Sequence, residues 1–327
     1  MAGLAMKSRK IGNTPLTSGP LGLGCNKMLD PANAEMVSVA NAAIDIGINQ
    51  FDGADVYGEG LCEQFFAKIL KPRRKEVTLV TKFGMIRQPD GGVVVDGSPA
   101  YARKACEASL ARLDMECIDL YYLHRIDPKV PVEESIGGMA DLIKAGKVKE
   151  IGICNTSADV IRRAHKTHPL ASVQMEYSLL ERSVEKEVLP ACKELGITFV
   201  AYGPLTYAFL SGEVQKHGDL PQEDMFRRRQ SRFVEENIAH NLKLLSALDE
   251  VRAESGGTRA QLALVWCLHR PWDVLPIPGS TKMKHLNDNA AAADIKLTPA
   301  QVAKLDTVFA PGAAKGSGAG GAIPAKS

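Results

Sequence analysis

The stretch Phe51-Asp52-Gly53-Ala54-Asp55-Val56-Tyr57-Gly58 begins as a short apolar segment and continues, past a glycine, into a loop that carries a tyrosine. Its acid Asp52 and its phenol Tyr57 lie five residues apart. A strand with polar groups at its end is how a parallel α/β barrel presents reactive side chains. A phenol, whose unperturbed pKa is about 10, becomes a better proton donor when a cation lowers that pKa. The stretch therefore predicts a barrel strand with chemistry at its end, and this chemistry requires a nearby cation.

The next two predicted strands supply the missing polar groups. Lys82 lies at the end of one of them and His124 at the end of the other. Because neighbouring strands lie about 4.8 Å apart, side chains at their ends can converge at one mouth of a barrel. In such a cluster Lys82 would favour the phenolate of Tyr57, and Asp52 would keep Lys82 charged and oriented. The alternative is a buried Asp–Lys pair with an ordinary core tyrosine and histidine.

The rest of the chain repeats the alternation of strand and helix. Eight predicted strands, most followed by a segment with apolar residues at helical spacing, favour a parallel (β/α)8 TIM barrel over an open sheet. An N-terminal β-hairpin over 9–16 could close the barrel bottom, and extra C-terminal helices are predicted over 283–292 and 298–309. The predicted strands span 20–24, 50–53, 76–83, 118–124, 148–154, 173–176, 197–202 and 273–277.

The chain shows no linker that would divide its apolar segments into two units. Residues 1–310 are therefore predicted to form a single barrel domain, with a long, largely polar insertion from Leu205 to about Val234. Residues 311–327 are mostly Gly, Ala, Ser, Pro and Lys, with almost nothing to bury. We expect this tail to be flexible.

Composition excludes several classes of function. The 327 residues are 45% hydrophobic and carry a formal net charge of +2, so no broad basic surface predicts nucleic-acid binding. No apolar run of about 18 residues predicts a membrane span, and Met1–Lys10 lacks the apolar middle of a signal peptide. Seven scattered cysteines without CxxC spacing indicate reduced thiols in a cytoplasmic protein. No HExxH motif or Cys/His cluster predicts a metal site.

The order of Asp52, Tyr57, Lys82 and His124 along successive strands resembles the aldo-keto reductase superfamily. The resemblance runs from about Arg9 to about Phe309. In that family an Asp, a Tyr, a Lys and a His act on a carbonyl group together with a nicotinamide cofactor. The resemblance thus implies that Tyr57 gives a proton to the carbonyl oxygen as hydride reaches the carbon, and that His124 donates a hydrogen bond to the same oxygen.

The resemblance also implies a set of nicotinamide contacts. Asn155 and Gln174 match the amide-binding residues of the family, and Tyr202 matches the aromatic residue that stacks on the ring. Cys154 replaces the usual serine, and a thiol is a weaker donor than a hydroxyl. Core filling is the alternative for Cys154, and a core position at the barrel rim is the alternative for Tyr202. The remaining residues implied along the cofactor are Gly24, Pro204 and Leu205.

A phosphate site is predicted after the eighth strand, where a glycine, two hydroxyls and a lysine lead into a helix: Gly279, Ser280, Thr281 and Lys282. Backbone N–H groups, the helix dipole and Lys282 all favour an anion, although an ordinary capped helix is the alternative. The family places the adenosine phosphate here. Its adenine-contacting pair matches Asp288 and Asn289, and Ser280 with Lys282 favours NADPH over NADH.

Three further segments resemble the microbial and plant reductases related to pyridoxal reductase: Leu123–Asp127, Glu176–Arg182 and Leu195–Ile197. This narrower resemblance implies reduction of an aldehyde or ketone, with a small carbonyl compound as the partner and substrate choice in loops 84–98 and 203–235. A cofactor-sensing auxiliary subunit is an alternative, against which the lack of a long N-terminal segment counts. A metal-dependent barrel isomerase is another, but it would need several carboxylates and histidines at the mouth. The oligomeric state stays open.

Overall fold

Eight parallel strands follow one another around a barrel in the order in which they occur in the chain. The computed structural model describes residues 6–318. Its strands are β1 (Arg9–Lys10), β2 (Thr17–Ser18), β3 (Leu23–Gly24), β4 (Gln50–Asp52), β5 (Thr78–Phe83), β6 (Met85–Arg87), β7 (Val93–Val95), β8 (Ile118–Leu123), β9 (Val148–Cys154), β10 (Ser172–Glu176), β11 (Thr198–Tyr202) and β12 (Val274–Pro276). The barrel consists of β3, β4, β5, β8, β9, β10, β11 and β12.

The first and last barrel strands are joined by backbone hydrogen bonds. The N–H of Gly22 donates to the carbonyl of Pro276 at 3.0 Å, and that of Gly24 donates to Pro278 at 3.2 Å. A Cβ at Gly24 would lie 2.8 Å from the carbonyl oxygen of Ile277, so this close approach requires glycine. The sheet therefore closes on itself, and the predicted (β/α)8 barrel is confirmed.

Helices cover the outside of the barrel, and several begin at a hydroxyl that caps the first turn, such as Ser98 before α3 and Thr298 before α12. None of the helices within the described range is long and apolar enough to cross a membrane. The helices are α1 (Ala34–Asp45), α2 (Leu61–Leu70), α3 (Pro99–Leu113), α4 (Val132–Lys144), α5 (Ala158–Thr167), α6 (Val188–Leu195), α7 (Met225–Arg228), α8 (Glu235–Leu242), α9 (Ser246–Ser255), α10 (Arg259–Leu268), α11 (Met283–Ala291) and α12 (Pro299–Val308).

The alternation of side chains along β4 separates core from site. Successive residues of a strand point to opposite faces. Phe51 therefore packs outward against Phe66 of α2, with ring centroids 6.1 Å apart, whereas Asp52 faces the barrel interior. Gly53 follows, and a Cβ there would lie 2.6 Å from the Phe66 ring. Close packing of α2 on β4 thus sets the point at which the chain leaves the strand and enters the Tyr57 loop.

The predicted N-terminal hairpin is present as the antiparallel pair β1–β2. Its turn lies against the barrel bottom, the end at which the strands begin. Ile11 is fully buried in one cluster with the interior side chains Val80 and Leu120. The Gly12 N–H donates to Thr198 Oγ1 at the start of β11, at 2.7 Å. The hairpin thereby closes the bottom of the barrel. The opposite end, at which the strands end, is the mouth.

The first part of the C-terminal tail is hydrogen-bonded to α8. Asn241 donates from Nδ2 to the carbonyl of Lys315 at 2.9 Å and accepts from the Lys315 N–H at 2.8 Å. Ser317 N–H donates to Ser231 Oγ at 2.9 Å. Flexibility of the tail over 311–327 stays a prediction, and residues 319–327 lie outside the described range.

Candidate active site

An ion pair at the ends of β4 and β5 forms the base of the site. Lys82 Nζ donates to Asp52 Oδ1 and, at 2.8 Å, to the carbonyl of Gly53. Lys82 is fully buried and Asp52 is 2% exposed. Burial lowers the pKa of Lys82, but the charge of Asp52 and the hydrogen bond to it outweigh burial and raise that pKa. Lys82 is therefore a fixed cation inside the barrel.

Tyr57 begins a tight turn directly above this pair. The turn, Tyr57–Gly60, places the Tyr57 ring centroid 5.2 Å from Lys82 Nζ. Burial raises the pKa of Tyr57 to about 12, although Lys82 pulls it down. The cation effect expected from the sequence is present, but the effect of burial on the pKa is larger. Tyr57 is consequently a protonated phenol whose ring is partly exposed at the mouth.

His124 faces Tyr57 across the mouth from the end of β8. The two ring centroids are 5.8 Å apart and the rings are nearly perpendicular. Burial, together with the charge of Lys82, lowers the pKa of His124 well below its usual range. A neutral imidazole carries one N–H donor. Its buried Nδ1 has no partner among residues 6–318. The structure thus brings together all four residues that the sequence nominates for catalysis.

Amide side chains surround the same cluster. Asn155 accepts a hydrogen bond from Tyr202 Oη at 2.7 Å and donates to the carbonyl of His124 at 3.4 Å. Gln174 donates from Nε2 to Asp52 Oδ2 at 2.7 Å. The three residues predicted to contact nicotinamide therefore lie at the mouth. Gln174 also touches the catalytic cluster, which the sequence did not indicate.

Cys154 lies at the end of β9, beside this cluster, and is 1% exposed. Burial raises its pKa to about 12, and the charge of Lys82 offsets only part of this effect. A thiol with such a pKa is neutral over the physiological range and is a weak nucleophile. Cys154 is thus an inert, buried group next to the catalytic residues.

The predicted phosphate segment, 279–282, lies next to the junction between the first and last barrel strands, β3 and β12. Gly279 bridges to Gly24, and Ser280 donates from Oγ to the carbonyl of Lys282 at 2.9 Å. Lys282 precedes α11 and is exposed, and no side chain caps the first turn of this helix. The N–H groups of that turn are therefore available to an anion. Thr281 is partly exposed, as is Asp288 within α11, whereas Asn289 of the same helix is buried.

A left-handed turn after β11 was not predicted. Thr206, Tyr207 and Ala208 have φ values of 48°, 53° and 72°, and none is a glycine. Such conformations cost about 1–3 kcal/mol each and persist where surrounding contacts impose them. The N–H groups of Tyr207 and Ala208 have no acceptor in the described part of the chain. Successive unpaired N–H groups form an anion-binding concavity. The turn directly follows the predicted cofactor residues Pro204 and Leu205.

A buried guanidinium was also missed. Arg232, in the insertion between β11 and α8, is fully buried. Its Nη1 pairs with Glu176 at the end of β10 and its Nη2 pairs with Glu181, both at 2.8 Å. The sequence does not indicate that this arginine is buried, because it lies in a polar segment and its acidic partners are distant in the chain. The ion pairs attach the insertion to the barrel mouth.

Comparisons with known proteins agree with this architecture. The Aldo/keto reductase family model matches residues 20–310. The chain is 29% identical to aldo-keto reductase AKR11C1 from Bacillus halodurans in its holo form, over 96% of this chain and 98% of that one, with a TM-score of 0.78. It is 26% identical to the glycerol dehydrogenase AKR11B4 from Gluconobacter oxydans, over 94% and 96% of the two chains, with a TM-score of 0.84.

A third solved structure is that of the thermostable aldo-keto reductase Tm1743 in complex with the inhibitor epalrestat. It is 26% identical over 93% of this chain and 100% of that one, with a TM-score of 0.73. The family match covers nearly the whole barrel, and all three similar structures cover more than nine-tenths of the chain. The chain therefore belongs to the aldo/keto reductase family, whose members are oxidoreductases that act on carbonyl compounds.

Proposed function

We propose that this protein reduces an aldehyde or ketone to an alcohol with NADPH, and that Tyr57 is the general acid. The observation that carries the proposal is a series of contacts at the barrel mouth. Asp52 contacts Lys82, Lys82 contacts Tyr57, and His124 lies beside Tyr57. A protonated phenol, a fixed cation and a neutral imidazole meet where the ends of three strands converge. This set suits addition of a proton to a carbonyl oxygen.

Tyr57 would give its proton to the substrate oxygen, and a nicotinamide cofactor, when bound, would supply the hydride for the carbonyl carbon. The phenolate left on Tyr57 is stabilised by Lys82, whose Nζ lies 5.2 Å from the ring centroid. Asp52 keeps Lys82 charged, so the stabilisation is present in every turnover. General acid catalysis of this kind contributes about 10²–10⁴-fold.

His124 orients the carbonyl. A neutral ring donates one N–H without competing for the proton that Tyr57 transfers. The Tyr57 and His124 ring centroids are 5.8 Å apart, so a carbonyl oxygen bound beside both rings would be close to both polar groups. One oxygen placed there can accept hydrogen bonds from both groups, which polarises the carbonyl before hydride transfer.

The residues around the cluster fit a nicotinamide group. Asn155 and Gln174 offer amide donors and acceptors, and Tyr202 offers a ring held by its hydrogen bond to Asn155. Cys154 adds only a weak donor. Gly24 lies at the same end of the barrel, where its backbone bridges to Gly279. These groups would hold the carboxamide and orient one face of the ring toward Tyr57.

Two anion sites fit the phosphates of a dinucleotide. The unpaired N–H groups of the turn at Thr206–Ala208 suit the pyrophosphate, next to Pro204 and Leu205. The uncapped start of α11, with Gly279–Lys282, suits the phosphate of the adenosine half. Asp288 and Asn289 lie on the same helix and would contact adenine. An exposed cation at Lys282 favours NADPH, which carries an additional phosphate dianion.

A substrate screen tests the proposal. Purified protein with NADPH should reduce some members of a panel of aldehydes and ketones, and the same preparation should oxidise the matching alcohols with NADP⁺. Pyridoxal belongs in the panel because the narrower sequence resemblance points to it. Glycerol belongs among the alcohols tested with NADP⁺ because a similar structure is a glycerol dehydrogenase. Tight NADPH binding without turnover of any carbonyl would contradict the proposal.

A further inference from the structure

Gln174 links the nicotinamide side of the site to the catalytic ion pair. It lies within β10 and is 3% exposed. In the sheet it is paired with Cys154 on one side and Val200 on the other. Its backbone carbonyl accepts a hydrogen bond from the backbone N–H of Asn155 at 3.1 Å. The backbone of Gln174 is therefore held by both neighbouring strands, which gives its side chain a defined origin.

The side chain of Gln174 completes the hydrogen bonding of Asp52. One oxygen of Asp52 accepts from the Lys82 ammonium and the other accepts from Gln174 Nε2 at 2.7 Å. Asp52 is 2% exposed. Each oxygen of this buried carboxylate thus has a donor on a different strand, and Gln174 is the donor to Oδ2.

The proposal rests on the proposed function and extends it. We propose that Gln174 is a positioning residue for proton transfer in addition to contacting the cofactor, because its N–H holds the Asp52 carboxylate, and thereby the Lys82 ammonium, in the place that Tyr57 needs. Without this donor the Asp52 carboxylate would keep the Lys82 ammonium as its partner but would be held from one side only. Lys82 would then be less well fixed beside Tyr57, and Tyr57 would lose part of the cation effect that stabilises its phenolate.

Most other titratable groups around Asp52 stay neutral over the physiological pH range. Burial raises the pKa of the Cys25 and Cys62 thiols and of the Tyr122 phenol, and it raises that of Cys154 to about 12. His124 stays neutral because its pKa is lowered. Asp55 is the exception, because burial raises its pKa to about 7 and its charge interacts with that of Lys82. A change in the pH profile is therefore assigned to Tyr57 and its ion pair only where a control variant that also retains Asp55 does not show it.

The pH dependence of alcohol oxidation tests the proposal, since in that direction Tyr57 must lose its proton first. We expect Gln174→Met to move the acidic limb of the kcat profile upward by roughly one pH unit or more, through the weakened cation effect. Asn155→Ala is the matched control, because Asn155 does not touch Asp52. It should weaken NADP⁺ binding without moving the limb. An unmoved limb in Gln174→Met, with only weaker cofactor binding, would overturn the proposal.

A cofactor-free measurement tests the contact itself. Urea unfolding of Gln174→Met, Asp52→Leu and the double variant forms a double-mutant cycle. Gln174→Met should change the unfolding equilibrium by about tenfold when Asp52 is present and by much less when Asp52 is Leu. Equal effects in the two backgrounds would overturn the contact. A wild-type protein without carbonyl turnover would instead contradict the proposed function, and the cycle would still decide whether Gln174 holds Asp52.

Discussion

Arg232 and Glu176 form an ion pair at 2.8 Å, although they are 56 residues apart and Arg232 is fully buried. Arg232 comes from the insertion and Glu176 from the end of β10, so the pair attaches the insertion to the barrel. Removing one member of a buried pair leaves the other charge without that partner and destabilises strongly.

Arg232→Met should lower the free energy of unfolding by about 3–5 kcal/mol, because Glu176 and Glu181 both lose this partner inside the protein. Arg229→Met, at an exposed position three residues earlier, is the control and should change stability by less than about 0.5 kcal/mol. Urea unfolding of the two variants makes the comparison. Equal stability of both would mean that the ion pairs are offset by the cost of burying them.

Tyr57→Phe should abolish carbonyl reduction and leave NADPH binding largely intact. The substitution keeps the ring and removes only the hydroxyl, and general acid catalysis is worth about 10²–10⁴-fold. Steady-state turnover and fluorescence titration with NADPH measure the two properties. Turnover above about a tenth of wild type would show that another group donates the proton.

Lys282→Ala should weaken NADPH far more than NADH, since only NADPH carries the extra phosphate dianion. A charge-assisted contact of this kind is worth about 1.5–3 kcal/mol, or roughly 10–100-fold in affinity. Lys296→Ala, another exposed lysine beyond α11, is the control. Titration of both cofactors into the variants decides the matter. Equal losses for NADPH and NADH would assign Lys282 to the shared pyrophosphate or to the helix.

Asp55 should make stability depend on pH. Its Oδ1 is buried without a partner among the described residues, and burial, followed by the charge of Glu63, raises its pKa to about 7. Because the folded pKa exceeds the unfolded value of about 3.9, its contribution is fully present below about pH 4 and is lost as pH rises through about 7. Each pKa unit corresponds to about 1.4 kcal/mol.

Asp55→Asn should therefore remove part of the decline in unfolding free energy between about pH 4 and pH 7, and should stabilise the protein at neutral pH. Glu116→Gln, at an exposed position, is the control. Urea unfolding across this pH range measures the effect. A variant whose profile runs parallel to wild type would show that Asp55 ionises normally.

Cys154→Ser should be tolerated and should tighten NADPH modestly, because a hydroxyl is a better hydrogen-bond donor to the carboxamide than a thiol. NADPH titration measures the gain. Alkylation of the native protein gives a second test. Cys117 is partly exposed, whereas Cys154 is 1% exposed, so Cys117 should react first. Rapid modification of native Cys154 would contradict its burial.

Local residue patterns determined much of this protein. The alternation of apolar strands and amphipathic helices predicted the (β/α)8 barrel, because each period reflects one face buried in the core. The four proposed catalytic residues were found for the same reason. In a parallel barrel the strand ends meet at one mouth, so a polar residue at the end of a strand is placed by topology alone. Topology placed Asp52, Lys82 and His124 at one mouth, and the resemblance to the aldo-keto reductases suggested their catalytic roles.

Only the tertiary structure decided the contacts between residues distant in the chain. Gln174 reaches Asp52 across 122 positions, and Arg232 reaches Glu176 across 56. No local pattern marks a glutamine or an arginine that will be buried beside a particular acid. The left-handed turn at Thr206–Ala208 is equally hidden, because none of its residues prefers positive φ and the surrounding packing imposes it. The pKa of Tyr57 was also decided there, since it depends on how far burial outweighs a cation that the sequence had already placed nearby.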